Sequence, residues 1–239
     1  NYPTFQFNDA SNNPVIHNCY QLQAIEDNVS GDYSLANDID CSDTVNWNEG
    51  DGFSPIADFN GTLDGNGHTI NGLTINRPNS DGIGLFRNIL TSTITDLTFT
   101  GGTIQGYEET GTLAGWIDDG AVVSIDNVHT SNSVKGRYQI GGLLGRVNAN
   151  NDGNVSVVDS STGGTVGPRD GDGNSMYHVG GVIGYLQAIQ STLNLTGLSS
   201  SADVTTNDQS YNVGGLIGNM EIYDDTEVTL FNLSSTGDV

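Results

Sequence analysis

The sequence predicts an all-β fold, a right-handed parallel β-helix (solenoid), with a short N-terminal helix and capping segment. Three observations carry that expectation. First, the stretch I-G-G-L-L-G at 140–145 returns as V-G-G-V-I-G at 179–184 and V-G-G-L-I-G at 213–218, with weaker copies T-G-T-L-A-G at 110–115 and G-I-G-L-F at 82–86. Repetition on this scale marks a stacked-repeat architecture and is weighed before any single element. Second, a near-constant ruler follows each motif. The apolar anchors Ile94, Ile125, Val157, Leu195 and Leu230 are followed by Ile104, Val134, Val166, Val204 and Val239, a gap of 10 and then of 9 in every later repeat. Three residues after each first anchor stand Leu97, Val128, Ser160, Leu198 and Leu233. The return to the next closing glycine varies instead, at 11, 11, 18 and 14 residues, which places insertions at one corner of the repeat. Third, Gly, Asn and Asp punctuate short strands with no helical period. Coils of 30 to 39 residues result, stacked at about the 4.8 Å strand spacing around a column of Val, Ile and Leu. A propeller blade of about 40–45 residues and four strands does not fit so short a ruler.

Composition bounds the partners. The 239 residues carry 29 acidic and 6 basic side chains, a formal charge of −23, and Lys135 is the only lysine. That field repels nucleic-acid phosphates and anionic bilayers, so neither is an expected partner. It suits a solvent of high ionic strength, or a surface that gathers cations. The 9 Tyr, 7 Phe and 2 Trp, with regularly placed Val, Ile and Leu, set the chain apart from acidic disordered sequences. No apolar run approaches the roughly 20 residues of a membrane span, so membrane insertion is not expected. The chain starts at Asn1 without Met or an apolar leader, which reads as a processed terminus or a boundary cut in a longer chain. Sequons at Asn28, Asn60, Asn154, Asn194 and Asn232 accord with secretion.

Domain organisation is read as a cap over residues 1–58 and a solenoid of about five to six coils over 59–239, one continuous domain. In the cap, Tyr2, Phe5 and Phe7 suggest a short strand, since Phe5 and Phe7 share a face. Residues 19–28 alone look helical, with Leu22, Ala24 and Ile25 near one side and Asn18 as N-cap. Tyr33 to Asp40 reads as a strand running into Cys41. A lone pair of cysteines is either a disulfide or two free thiols; the acidic, lysine-poor, Gly/Asn/Thr-rich composition favours a Cys19–Cys41 disulfide. Residues 42–58 form a loop anchored by Trp47 and Phe53. At 61–70 two strands meet at a tight turn, because Gly and Asn accept positive φ. Leu63, Ile70, Leu73 and Ile75 point inward.

The G-G-L-x-G units resemble the Glug motif of bacterial and archaeal secreted proteins. The leader Y-x-L-x-x-D-I-D at 33–40, P-I at 55–56 and F-x-G-x-L-D-G-N-G-H-T-I at 59–70 are similar to the segment that precedes such motifs. The resemblance covers roughly residues 19–239. It implies a right-handed β-helix in an extracellular setting, within surface adhesins, cell-wall proteins or stalks beside secreted proteases, and it implies no catalytic residues. Thr110, Thr112 and Ser160 depart from the pattern.

Several clusters invite chemistry. Secreted β-helix glycosidases place Asp and His near turns like Asp64 to His68, yet a turn leading into the next strand explains the same residues. Acids pair at Glu108-Glu109, Asp118-Asp119 and Asp224-Asp225. Glycoside hydrolysis needs two carboxylates about 5–9.5 Å apart across a sugar, whereas neighbours on a strand point to opposite faces. A lyase base near bound Ca²⁺ is poorly served by Lys135 and Arg137, which cluster without an acidic motif. Asp170, Asp172 and Asn174 alternate with glycine as Ca²⁺ ligands do, although Gly181 stands where a bidentate Glu would close the loop. They are the candidate Ca²⁺ ligands; no cofactor is required. Tyr107, Tyr138, Tyr177 and Tyr211 each precede a glycine motif, so they are expected to stack as a ladder, which either packs to cover the corner or offers an aromatic strip to a sugar or partner protein. Val239 is both the last residue and an anchor, so the last coil ends uncapped. With the Tyr2–Phe7 strand as donor, head-to-tail self-association into a filament is expected, unless repeats of a parent protein continue the stack.

The expected function is a non-enzymatic extracellular structural or adhesive module at the cell surface, plausibly a filament subunit, with a surface glycan or protein as target. A secreted polysaccharide-acting hydrolase or lyase, and a carbohydrate-binding module, are the alternatives.

Overall fold

In the computed structural model, which describes residues 14–207 and 210–239, parallel pairing joins each repeat to the next. Sheets of 16, 5 and 4 strands form, and together they wind about six turns of a parallel β-solenoid. This is the fold class read from the repeats. The registers show why. Tyr33, Leu63, Ile94, Ile125, Val157, Leu195 and Leu230 pair in succession as one column. All but Leu230 are at most 2% exposed. Ile75, Ile104, Val134, Val166 and Val204 make a second column, and Phe86, Ala114, Leu144, Ile183 and Ile217 a third. A slip of one residue would turn a column out to water, and each large apolar side chain kept inside contributes about 1.5–3 kcal/mol. Ser160 replaces an apolar anchor without cost in unmet polarity: it donates to Val158 O at 2.8 Å and accepts from Val128 N at 3.1 Å.

The single gap of 10 has a local cause. Ser131 pairs with Thr100 but Ser133 with Thr103, so one extra residue is inserted there. Gly101 and Gly102 take it up at φ 62° and 76°, a conformation that Cβ-bearing residues avoid.

The N-terminal elements differ in detail from the expectation. Val15–Ile16 pairs with Asp32–Leu35, which pairs with Thr62–Asp64, and Ile39–Asp40 pairs with Thr69–Asn71. The ladder therefore crosses residues 58 and 59, and the capping segment is itself built of coil strands. Tyr33 to Asp40 is two strands, because the chain bends at Ala36–Asn37; Asp38 Oδ1 then accepts from Thr69 N at 2.9 Å. Thr62–Asp64 and Thr69–Asn71 pair with Ser92–Gln105 and not with each other. Asp64 to His68 is thus a coil corner, and the expected tight turn sits in it, with His68 N donating to Gly65 O at 2.8 Å. Cys19–Gln23 is helical, capped by Asn18 Oδ1 accepting from Gln21 N at 3.0 Å, and tightens to a 3-10 turn over Ala24–Asp27. A disulfide joins Cys19 to Cys41. Trp47 stacks on Tyr20 at 4.7 Å and Phe53 at 6.3 Å, which pins Ser42–Gly50, 3-10 turns broken by a kink at Trp47 to Glu49, to the core.

Candidate functional site

Each of the four glycine motifs from 110 onward forms the corner between the four-stranded and five-stranded sheets. A left-handed residue opens it: Glu109, Gln139, His178 and Asn212 have φ of 51°, 55°, 58° and 55°. The closing glycine of the next coil packs on that backbone. A Cβ on Gly145 would lie 2.4 Å from Thr110 N, and one on Gly184 2.3 Å from Ile140 N. This corner sets the residue ahead of the left-handed one at a fixed outward position: Glu108, Tyr138, Tyr177 and Tyr211, in register.

Tyr138 and Tyr177 stack at 5.3 Å and 19°, and Tyr177 and Tyr211 at 5.1 Å and 14°. A ladder therefore forms over three coils. Tyr107 is not its fourth rung. Glu108 holds the register opposite Tyr138, and Tyr107, one residue earlier, meets Tyr138 edge-on at 5.6 Å and 72°. The stacked faces are spent on one another, so the ladder offers a row of phenol edges and hydroxyls, not flat platforms. Tyr107 carries guanidinium groups instead: Arg169 lies 4.8 Å and Arg137 6.0 Å from its ring centre, and Arg137 is 5.0 Å from that of Tyr138.

The insertion after Pro168 lies beside these rings. Asp172 accepts from Arg169 Nη2 at 2.6 Å and Nε at 3.0 Å, and from Asn174 N at 3.0 Å and Nδ2 at 2.6 Å. Burial pushes its carboxyl up, but these bonds outweigh burial and hold it at about 2. Asp170 turns away to Lys135 Nζ at 2.6 Å. Of the three candidate Ca²⁺ ligands, then, Asp172 and Asn174 are brought together but bond each other, while Asp170 faces a different cation. Arg169, one residue ahead of the D-G-D-G-N run, takes Asp172 Oδ2, and Asn174 takes Oδ1.

Across the corner a second strip faces outward. The residues after each closing glycine, Trp116, Arg146, Tyr185 and Asn219, pair as one column. Sequence reasoning did not assemble this strip, although its fixed place after the glycine was a usable signal. Arg146 donates to Asn148 Oδ1 at 2.7 Å and Glu109 Oε1 at 3.3 Å, and lies 5.7 Å from the Tyr185 ring centre. Tyr185 donates to Glu221 Oε2 at 2.8 Å, as Tyr223 does at 3.0 Å. Burial, then the bond to Glu221, pushes the Tyr185 phenol up to about 12, and the same bond holds Glu221 below the usual carboxylate range. Burial raises Glu109 despite its contact with Arg146.

The remaining candidates bind within a coil or to the next one. His68 Nδ1 is 3.2 Å from Asp38 Oδ1, Asp64 accepts from Asn66 N at 2.8 Å, and Asn66 Nδ2 donates to Leu35 O at 2.8 Å. Asp118 accepts from Trp116 Nε1 at 2.8 Å and Asn88 Nδ2 at 2.7 Å, and Asp119 from Asn150 Nδ2 at 2.9 Å. Among the described residues, no three His, Cys, Asp or Glu side chains form a group that could hold a metal ion. Val239 is 70% exposed; Tyr2, Phe5 and Phe7 lie outside the described residues.

Known proteins share this chain's features. Residues 8–157 match the family described as M26 IgA1-specific Metallo-endopeptidase N-terminal region. Halomucin of Haloquadratum walsbyi is 40% identical over 139 residues, 54% of this chain and 2% of halomucin. An immunoglobulin A1 protease of Streptococcus pneumoniae is 26% identical over 201 residues, 82% of this chain and 10% of that protein. The chain thus spans a small part of the length of these relatives. The crystal structure of a candidate immunoglobulin A1 protease from Bacteroides ovatus shares the fold, with a TM-score of 0.52 at 13% identity, covering 94% of this chain and 84% of that one.

Proposed function

Because the chain belongs to the M26 IgA1-specific Metallo-endopeptidase N-terminal region family, we propose that it is an extracellular, non-enzymatic rod module that presents an adhesive face to a surface glycan or protein. The observation that carries this reading is the Tyr138–Tyr177–Tyr211 stack running beside the Trp116–Arg146–Tyr185 strip on adjoining sheets. Tyr, Trp and Arg dominate recognition energetics, and a ladder that already orders them lowers the entropic cost of binding. The Cys19–Cys41 disulfide favours an oxidising exterior. The glycine units, read as Glug repeats, then serve to build the rod.

The test is a panel of immobilised glycans and proteins, immunoglobulin A1 included because relatives carry its name. The native chain is compared with Tyr177→Ala, which opens the stack. A ligand whose affinity falls about 10-fold or more in the variant is the expected result. Identical binding by both chains, or turnover of a polysaccharide by the native chain, would overturn the reading.

A further inference from the structure

Four of the 6 basic residues, Arg77, Lys135, Arg137 and Arg169, gather where the wide sheet passes into the four-stranded one. Arg77 sits 3.6 Å from Asp51, Lys135 2.6 Å from Asp170, and Arg169 2.6 Å from Asp172. Arg137 differs. Among the described residues its guanidinium makes no ion pair, and its buried Nε, like that of Arg77, has no hydrogen-bond partner. Glu108 feels its charge without coming within ion-pair distance, and Asp81 and Arg146 act on the same carboxylate. What holds Arg137 is ring packing, against Tyr138 at 5.0 Å and Tyr107 at 6.0 Å.

We propose that this corner, Tyr107–Arg137–Tyr138, binds the carboxylate of an acidic sugar; the proposal rests on the adhesive reading and names its ligand class. A guanidinium packed against two rings presents its terminal N–H fork in a set direction, which suits a planar carboxylate bidentately. Lys135 and Arg169 are matched by Asp170 and Asp172, so those pairs add no net charge beside Arg137, and salt at 0.15 M screens exposed charges beyond about 8 Å. From Arg137 the Tyr138–Tyr177–Tyr211 row leads along the axis in steps of 5.3 and 5.1 Å, and its phenol hydroxyls both donate and accept. A polyhydroxylated chain is matched at each step. An acidic peptide adding as a strand is not, because Tyr138–Gly141 is already paired on both edges.

The experiment is calorimetric titration of the native chain with tri-galacturonate and with its methyl ester, which keeps the rings and most hydroxyls but lacks the charge. Tri-galacturonate is expected to bind at least about 10-fold more tightly than the ester, with an advantage that shrinks as NaCl rises. Arg137→Gln abolishes the advantage, and Arg137→Lys restores only part of it, because an ammonium has no fork. Equal binding of acid and ester by the native chain overturns the proposal, as does an acid preference that survives in Arg137→Gln. Stronger binding of hexaglutamate than of tri-galacturonate overturns it in favour of a peptide ligand. A drop in melting temperature with an unchanged acid-to-ester ratio assigns Arg137 to packing alone. Tyr177→Phe separates the two readings. Equal binding of both sugars that still weakens in Tyr177→Phe sinks only the carboxylate anchor, whereas binding of neither sugar sinks the glycan face with it.

Discussion

At Gly184 an added Cβ would lie 2.3 Å from Ile140 N and 2.6 Å from the Gly145 carbonyl oxygen, backbone atoms that cannot yield without shifting a neighbouring coil. Gly184→Ala is expected to lower stability by about 2–3 kcal/mol, read from the urea midpoint. Gly173→Ala, with nothing within 4 Å of the new atom, stays within about 0.5 kcal/mol. Similar losses at both would remove close packing as the reason for the motif. Asp172 offers a second residue-scale test. Its carboxyl is held at about 2, below its ordinary value of 3.8, so the native state favours the ionised form. That contribution is complete above about pH 4 and is lost as pH falls toward 2. Asp172→Asn should therefore destabilise the chain at pH 7 and lose its effect near pH 2, as acid titration followed by circular dichroism would record. The D-G-D-G-N spacing was legible in sequence, but the arginine side chain that folds back onto it was not.

At the scale of elements, the disulfide ties a helix to a coil strand across a sequence separation of 22. Replacing both Cys19 and Cys41 by Ser is expected to cost about 2–4 kcal/mol. Because each coil touches mainly its neighbours, faster amide exchange should appear in Asp32–Leu35 and Ile39–Asp40 while Val122–Gly136 stays protected. Uniformly faster exchange would show one cooperative unit. The tyrosine ladder belongs to this scale too. Counting residues before each glycine motif found Tyr138, Tyr177 and Tyr211, whose backbone positions are equivalent. The same count admitted Tyr107, which is offset by one residue, and a one-residue offset beside a left-handed position changes the direction in which a ring points.

For the whole molecule, 29 acidic against 6 basic side chains make self-repulsion the dominant long-range term. Raising NaCl from about 10 mM to about 1 M shortens the Debye length from about 30 to about 3 Å. The melting temperature is expected to rise across that range. A fall would mean that pairs such as Lys135–Asp170 and Arg169–Asp172 outweigh the repulsion.

The sequence by itself determined the repeat, the inward columns and the strand-and-corner character of each coil. These follow from the period-two alternation and from backbone positions that exclude a Cβ, and both are local properties of the chain. Only the tertiary structure decided which outward residues meet. Stacking places Arg137 against Tyr107 one coil away, brings Lys135 to Asp170, and lines Trp116, Arg146 and Tyr185 into one strip. Those neighbours are set by the register between coils and by side-chain direction at the corners. The glycine motif at 140–145 fixes the place of the corner, but contacts some thirty residues apart in the chain give that corner its chemistry.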